Sequence, residues 1–371
     1  MRIAFLSVFY PYRGGIAQFN AHLCEAMGQD GEVRVFNFSR QYPGFLFPGK
    51  TQYVTEQDKA MPVESTRILD SINPFSWRRT AREMLRWKPD IVVFSYWMSF
   101  FAPAFGCVAS ALRRRGVKCV TVVHNAIPHE PKFFDKPLAR WFFRKNDLLV
   151  SMCDAVTADI RSLCPDARII QRPHPVYDHF GQKQDKAAAQ AALSLKPGLR
   201  TLLFFGLIRD YKGLDLLIDA LPLLGDGYQL VIAGESYGSF EKYQAQIDAS
   251  GCAGRIHVLN RYIDDEEVPG LFSAADLCVL PYRSATQSGI TAIALHFDLP
   301  LVATPVGGLA ESIERPGIGL MTEAISAEAL ARSIKAFFET GPDTFVENIR
   351  RAKANMTWPA FAETLLTGLT R

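Results

Sequence analysis

A chain of 371 residues is longer than one ordinary hydrophobic core fills and suits two domains of about 150 to 200 residues each. Its 48% hydrophobic and 21% charged residues are the balance of a soluble globular protein, and its seven scattered cysteines, with no C-x-x-C pair, argue against a zinc site or a disulfide framework. The net charge of +3 divides into +8 over residues 1–180 and −5 over the remainder, so the first half is expected to meet something anionic, with basic clustering too sparse for nucleic acid.

The opening "MRIAFLSVFYPYRGG" has an apolar run with no small-residue cleavage site after it, and reads as a first β-strand rather than a signal peptide. In "FYPYRGGIAQFNAHLCEAM" that strand ends, the chain turns at Pro11 and Gly14-Gly15, and an amphipathic helix begins near Ile16. Glycines there let backbone N–H groups approach a phosphate at the helix N-terminus. The spacing is not G-x-G-x-x-G, and a plain tight turn would use the same residues.

After the strand "VRVFNF", the segment "FSWRRTAREMLRWKPD" predicts a helix with Arg78, Arg79, Arg82 and Arg86 within reach of one face and Trp77 and Trp87 nearby. From Ile91 to Leu112 no charge occurs, a length that meets the test for a membrane span, but Pro103 and Gly106 interrupt it. A strand followed by a helix is the better reading, because "RRR" and the strand "KCVTVVH" come next. His124 then lies just past a strand end, placed to donate a hydrogen bond to a ligand hydroxyl or to stabilise developing charge. The nearby His129-Glu130 pair lacks a third ligand at suitable spacing, so no metal site is expected.

"PLARWFFRKNDLL" repeats the basic-aromatic combination with Trp141, Phe142, Phe143, Arg144 and Lys145. Such helices suit an anionic leaflet. They equally suit packing on a sheet with the cations solvated, and both readings stay open here. "AVTA" is read as the last strand of this half.

The polar stretch "QKQDKAAAQAALSLKPG" marks the break and reads as a linker helix, dividing the chain into residues 1–180 and 181–371. Beyond it, "TLLFFG", "YQLVIAG", "RIHVLN", "LCVLPY" and "PLVAT" are strands separated by helices. Apolar strands alternating with helices imply parallel sheets covered on both faces, an α/β doubly wound architecture given twice. Ligands of such folds bind outside the carboxyl ends of the strands. In "FFGLIRDYKGLDLLIDAL" a strand ends at Gly206, Arg209 and Lys212 follow three residues apart, and a helix starts near Gly213. A planar fork beside a point charge is able to neutralise a diphosphate. The run Asp264 to Glu267 is read as acids crowding a helix N-terminus rather than as a metal site. Trp358, Phe361 and Leu365 have helical spacing, and their helix either packs back on the first domain or serves the second.

The Gly14-Gly15 loop, the His124-Asn125 step, "GLIRDYKG", "ADLCVLPY" and "TPVGGLAE" occur in one order from about residue 1 to 311. Together they resemble the GT-B glycosyltransferases, specifically family 4 (group 1) of the retaining nucleotide-sugar enzymes. The resemblance implies two Rossmann-like domains facing across a cleft, with the acceptor in the first and the nucleotide sugar in the second. It implies that Arg209 and Lys212 grip the donor diphosphate and that Gly206 opens their loop. His124 would reach the transferred sugar, and Gly14 and Gly15 would close over the phosphates. His124, Arg209 and Lys212 are on this reading the catalytic set. The implied partners are a nucleoside diphosphate sugar and a glycan or lipid-linked acceptor, with an anionic membrane surface as a candidate. No metal or other cofactor is expected, because fixed cations and N–H donors can stabilise a departing diphosphate as a divalent ion would. The implied setting is the cytoplasm, at the inner membrane face, in synthesis of a bacterial-type surface polysaccharide or glycoconjugate.

One departure stands out. The family often carries E-x7-E where this chain has no acid between Tyr282 and Asp298. Counted back from Pro300, the two slots fall on Ala285 and Ile293; counted from Gly289, they fall on Thr286 and Ala294. "TQSGIT" is expected to serve instead as a backbone cradle at Gly289 and Ile290, with Gln287, Ser288 and Thr291 as neutral hydrogen-bonding groups. A neutral contact in place of a charge-assisted one costs binding on the order of 1 kcal/mol. Two alternatives remain: a partner subunit of this fold without turnover, and a nucleotide-sugar epimerase.

Overall fold

The computed structural model describes residues 1–43, 52–54, 61–128, 132–176, 180–285 and 288–370. The chain forms two compact units, Met1–His174 with Thr357–Arg371, and Pro175–Met356.

The first unit contains seven parallel strands: β1 (Arg2–Leu6), β2 (Glu32–Arg40), β3 (Ser65–Asp70), β4 (Ile91–Tyr96), β5 (Lys118–Val123), β6 (Leu148–Ser151) and β7 (Ile169–Gln171). They lie in the order β3-β2-β1-β4-β5-β6-β7. Between them run α1 (Gly15–Met27), α2 (Pro74–Trp87), α3 (Ala102–Arg113), α4 (Asp135–Phe143) and α5 (Asp154–Leu163). All six residues of β4 are buried, the signature of a parallel strand with helices on both faces. The uncharged stretch 91–112 is therefore β4 followed by α3, and among the described residues no helix is long and apolar enough to cross a membrane.

The predicted strand "AVTA" is instead part of α5. Val156 and Ile160, one helical turn apart, are both buried there, so the period of the apolar residues overrides their β-branching. The strands around it, β6 and β7, are only four and three residues long.

In the second unit, α6 (Lys186–Ala192) precedes β8 (Arg200–Phe205), α7 (Leu214–Leu224), β9 (Tyr228–Ala233), α8 (Glu241–Ala249), β10 (Ile256–Leu259), α9 (Val268–Ala274) and β11 (Leu277–Leu280). Then come α10 (Gly289–His296), β12 (Leu301–Ala303), α11 (Leu309–Ile313), β13 (Gly319–Met321), α12 (Ala327–Thr340) and α13 (Pro342–Lys353). Its six parallel strands have the order β10-β9-β8-β11-β12-β13. The expected linker helix is α6, and it is not a connector. Gln190 donates to Ala274 O at 3.0 Å and Thr201 Oγ1 at 3.2 Å, and Ala189 is buried, so α6 is packed into this unit. The units divide at His174/Pro175, a few residues before the predicted 180/181. The acidic run lies directly before α9, where Glu267 receives two hydrogen bonds from Arg261, at 2.7 and 2.5 Å.

The last helix, α14 (Trp358–Thr370), belongs to the first unit and packs on α1, with Phe361 and Leu365 buried. Five cysteines are buried, Cys24 is half-buried, and Cys107 is exposed on α3. In both sheets the strand order reverses once, beside β1 and β4 and beside β8 and β11. Ligand sites of doubly wound folds form at the carboxyl ends of such strand pairs.

Candidate functional site

The loop after β8 and the loop after β11 meet at the reversal point of the second sheet. Gly213 caps α7 with φ 64°, and a Cβ there would stand 2.0 Å from Pro281 O, so only glycine allows this approach. At the other end of the loop, an added Cβ on Gly206 would lie 3.2 Å from both Lys212 Nζ and Ile290 Cδ1. The Lys212 ammonium and the Ile290 side chain thus close over the start of the loop.

Arg209 and Lys212 have no carboxylate partner among the described residues. Their charged neighbours do. Arg283 donates to both oxygens of Asp215, at 2.7 and 2.5 Å, and Lys242 pairs with Asp210. Arg209 instead lies over the Tyr237 ring at 4.2 Å, with its Nε shielded and unpartnered. Lys212 Nζ lies 5.5 Å from the centre of the Tyr282 ring. Burial, and then the like charge of Arg209, push the Lys212 ammonium down to about 8. Two adjacent cations in a partly desolvated place repel each other unless an anion joins them. They sit beside the N-terminus of an eleven-residue helix, where the backbone dipole also favours negative charge.

The segment after β11 is tied into the same place. The Tyr282 hydroxyl is 3.2 Å from Ser288 Oγ, and Ser288 Oγ accepts from Ile290 N at 3.3 Å, capping α10. Gly289 is the first residue of α10, and Thr291 in its first turn has a shielded Oγ1 without a partner. Gln287 and Thr286 lie outside the described residues. Ile293 and Ala294 are both buried in α10, so either count puts an apolar side chain in the second glutamate slot.

In the first unit, Gly14 caps α1 with φ 126° and ψ 163°. An added Cβ on Gly14 or Gly15 would meet nothing within 4 Å, so the outer side of this loop is open. Its base is held by Asn20, which donates to Ser7 Oγ and Val8 O at 2.9 Å, and by Asn37, which donates to Phe9 O at 3.1 Å and Tyr10 O at 2.9 Å. His124 follows β5 and its backbone N donates to Tyr96 O at 2.8 Å. The edge of Phe19 meets its ring at 4.8 Å, and Nε2 is shielded without a partner. Burial, with a smaller effect of His174, pushes this imidazole down to about 3. His124 is therefore neutral at ordinary pH, a hydrogen-bonding group rather than a cation. Among the described residues no three His, Cys, Asp or Glu side chains gather as a metal ion needs; His129 and Glu130 lie outside them.

Shielded side-chain atoms without partners are uncommon in native folds. Three of those among the described residues are His124 Nε2, Arg209 Nε and Thr291 Oγ1, all on residues singled out from the sequence. Tyr237, Tyr282 and the Arg283–Asp215 pair escaped sequence reasoning. Tyr237 lies four residues past β9, in "AGESYG", so the rule of looking just beyond strand ends would have found it.

Comparison with known proteins gives the family of the chain. The family described as Glycosyl transferases group 1 matches residues 199–340, and the Glycosyl transferase 4-like domain matches residues 14–173. A D-inositol 3-phosphate glycosyltransferase of Mycolicibacterium gilvum is 28% identical over 190 residues, covering 50% of this chain and 43% of that protein. A GDP-mannose:glycolipid 4-beta-D-mannosyltransferase of Xanthomonas campestris pv. campestris is 30% identical over 198 residues, covering 52% and 51%. The matched region thus spans about half or less of these relatives. Among solved structures, Anabaena HepE in complex with UDP superposes with a TM-score of 0.76 over 100% of both chains at 17% identity, a likeness of fold.

Proposed function

Because the chain belongs to the GT-B glycosyltransferases of the family 4, group 1 type, we propose that it moves a sugar from a nucleoside diphosphate sugar to a glycan or lipid-linked acceptor, with retention at the anomeric carbon. The observation that carries this reading is the unpaired Arg209–Lys212 couple beside the N-terminus of α7. When the bond between the anomeric carbon and the β-phosphate oxygen breaks, its electron pair stays on that oxygen. The two cations stabilise the charge that appears there, the role a divalent ion fills elsewhere. The acceptor hydroxyl forms its new bond on the face the phosphate leaves, and its proton passes to the departing phosphate oxygen. No protein carboxylate is required as a nucleophile in this scheme. His124, neutral, turns its unpartnered Nε2 to a hydrogen bond with a hydroxyl of the transferred sugar.

Gly14 and Gly15 offer backbone N–H groups to phosphate. Ser288, Gly289, Ile290 and Thr291 hold sugar and ribose through backbone and neutral side chains, so the absent acids alter donor preference rather than remove the reaction. A relative named for glycolipid mannosylation supports a lipid-linked acceptor, and a neighbour in fold solved with UDP supports a nucleoside diphosphate donor. The cytoplasmic face of the membrane, in surface polysaccharide or glycoconjugate synthesis, is the setting that suits these substrates.

Titration with UDP and GDP, followed by hydrolysis and transfer assays on UDP- and GDP-sugars, tests this. Nucleotide binding lost in Arg209→Ala and Lys212→Ala, with sugar released in the wild type, is the expected result. No nucleotide binding in the wild type would overturn it. Binding without turnover on any donor favours a non-catalytic partner subunit, the reading that the missing acids raise.

A further inference from the structure

The outer face of α4, in the first unit, carries a second basic cluster besides Arg209 and Lys212 of the second unit. A groove of about 660 Å³ is lined by Lys136, Arg140, Trp141, Arg144, Lys145 and Leu163. A smaller one of about 320 Å³ shares Lys145 and adds Arg113 and Arg114 of the neighbouring α3 end. Arg113 is paired with Asp147 at 3.3 Å. Among the described residues, Arg140, Arg144, Lys145 and Arg114 have no ion-pair partner, so the groove keeps an excess of positive charge even with Arg113 on Asp147 and Lys136 near Asp159.

Its floor is built. Gly106, in the interior of α3, stands where an added Cβ would be 2.1 Å from Trp141 Cζ3. The indole lies directly on that helix while remaining 38% exposed, and Lys145 Nζ is 5.8 Å from its ring centre. A glycine inside a helix is unfavourable, so its presence here is explained by the seat it gives Trp141. Just before α4, Phe133 is 92% exposed. By contrast, the tryptophans of α2 face inward: Trp77 donates to Asp70 O at 2.8 Å, and Trp77 and Trp87 both pack on the core. Of the two basic-aromatic helices, only α4 presents its tryptophan to the outside.

Unpaired cations around an exposed indole, with a free phenylalanine alongside, match the phosphates and the interfacial zone of an anionic bilayer. We propose that the α3–α4–α5 groove is the surface by which this protein sits on an anionic lipid bilayer, its cations on headgroup phosphates and Trp141 with Phe133 at the acyl boundary. This rests on the reading that the acceptor lies at a membrane.

Co-sedimentation with vesicles of equal parts phosphatidylglycerol and phosphatidylcholine, against phosphatidylcholine alone, tests it on the full chain. Each cation contributes about fivefold to such binding, so Arg140→Gln/Arg144→Gln should weaken it about 25-fold. Trp141→Phe should weaken it less, and Arg79→Gln/Arg82→Gln on α2 should leave it within about threefold. UDP or GDP titration of the groove variants should match the wild type, showing an intact fold. Lys212→Ala should keep full vesicle binding, so a failed donor assignment and a failed groove are told apart. Equal binding to both vesicle types, or equal binding by wild type and groove variants, would overturn the proposal. So would binding of soluble glycerol phosphate that the groove variants lose while vesicles are ignored, which makes the site one for free phosphates.

Discussion

In the second unit, two cations stand three residues apart after β8 with no carboxylate to answer them among the described residues, whereas in the first unit the residue just past β5, His124, is held uncharged. Both are strand-end positions on parallel sheets, but their surroundings demand different chemistry. Lys212 and Arg209 have aromatic rings and a helix N-terminus around them, which leaves positive charge available to an anion. His124 is buried with the Phe19 ring against it, and burial, then the neighbouring His174, removes its charge and leaves a hydrogen-bonding nitrogen. A departing diphosphate gains charge and needs the first environment; a sugar hydroxyl stays neutral and needs the second. Arg283 sharpens the contrast within the second unit, since there the same kind of side chain is tied to Asp215 and fastens loops. Want of a carboxylate partner among the described residues, more than charge, sets Arg209 and Lys212 apart from Arg283 and Lys242.

The comparison breaks most visibly at Lys212. Lys212→Met is expected to lower kcat/KM about 10²- to 10³-fold, in the range found when a stabiliser of developing charge is removed. Nucleoside diphosphate affinity should fall by about 10- to 100-fold. His124→Ala should reduce kcat by about 10²-fold while leaving nucleotide affinity within about twofold, which separates the neutral role from the charged one. His124 also bears on acid stability. Its imidazole sits near 3 in the fold and near 6.5 when unfolded, so the unfolded state binds more protons between those values. Stability is therefore present above about 6.5 and lost as pH falls toward 3, and His124→Asn should flatten that part of an acid denaturation curve.

A smaller effect comes from pH on binding. A bound diphosphate must raise the Lys212 ammonium above its free value of about 8, so binding takes up protons around and above that pH. Affinity should decline by up to about tenfold per pH unit beyond it. Smallest of all is Arg283→Met. Its guanidinium is partly exposed, so losing the pair should cost about 1 kcal/mol or less, read as a shift of a few degrees in Tm, with nucleotide affinity little changed. An Arg283 variant that lost nucleotide as badly as Lys212→Met would erase the distinction between paired and unpaired cations.

Much of this was legible beforehand, for physical reasons that differ between elements. Strands β4, β5, β8 and β9 are mostly apolar and almost wholly buried because both their faces are covered, and such runs are hard to misread. The short β7 and β13 bury little, and α5 carries β-branched residues at helical spacing, which is why "AVTA" looked like a strand. Arg209, Lys212 and His124 stand out in the sequence by their position after strands, and the structure places each of them just past one. Their lack of partners was not visible, since it depends on which side chains fold nearby. The seat of Arg209 on Tyr237 requires β8 and β9 to be neighbours, and the fit of Gly213 to Pro281 requires β8 to lie beside β11. Those are properties of strand order, which no local pattern contains.

The most direct measurement is calorimetric titration of UDP and GDP into the wild type and Lys212→Met, at about pH 7 and about pH 9, in buffers of different ionisation enthalpy. The expected result is wild-type binding that is tighter at the lower pH and takes up protons near the Lys212 titration, with weak, pH-independent binding in the variant. Equal affinity and equal proton uptake in the two proteins would contradict the assignment of the unpaired cations to the donor diphosphate.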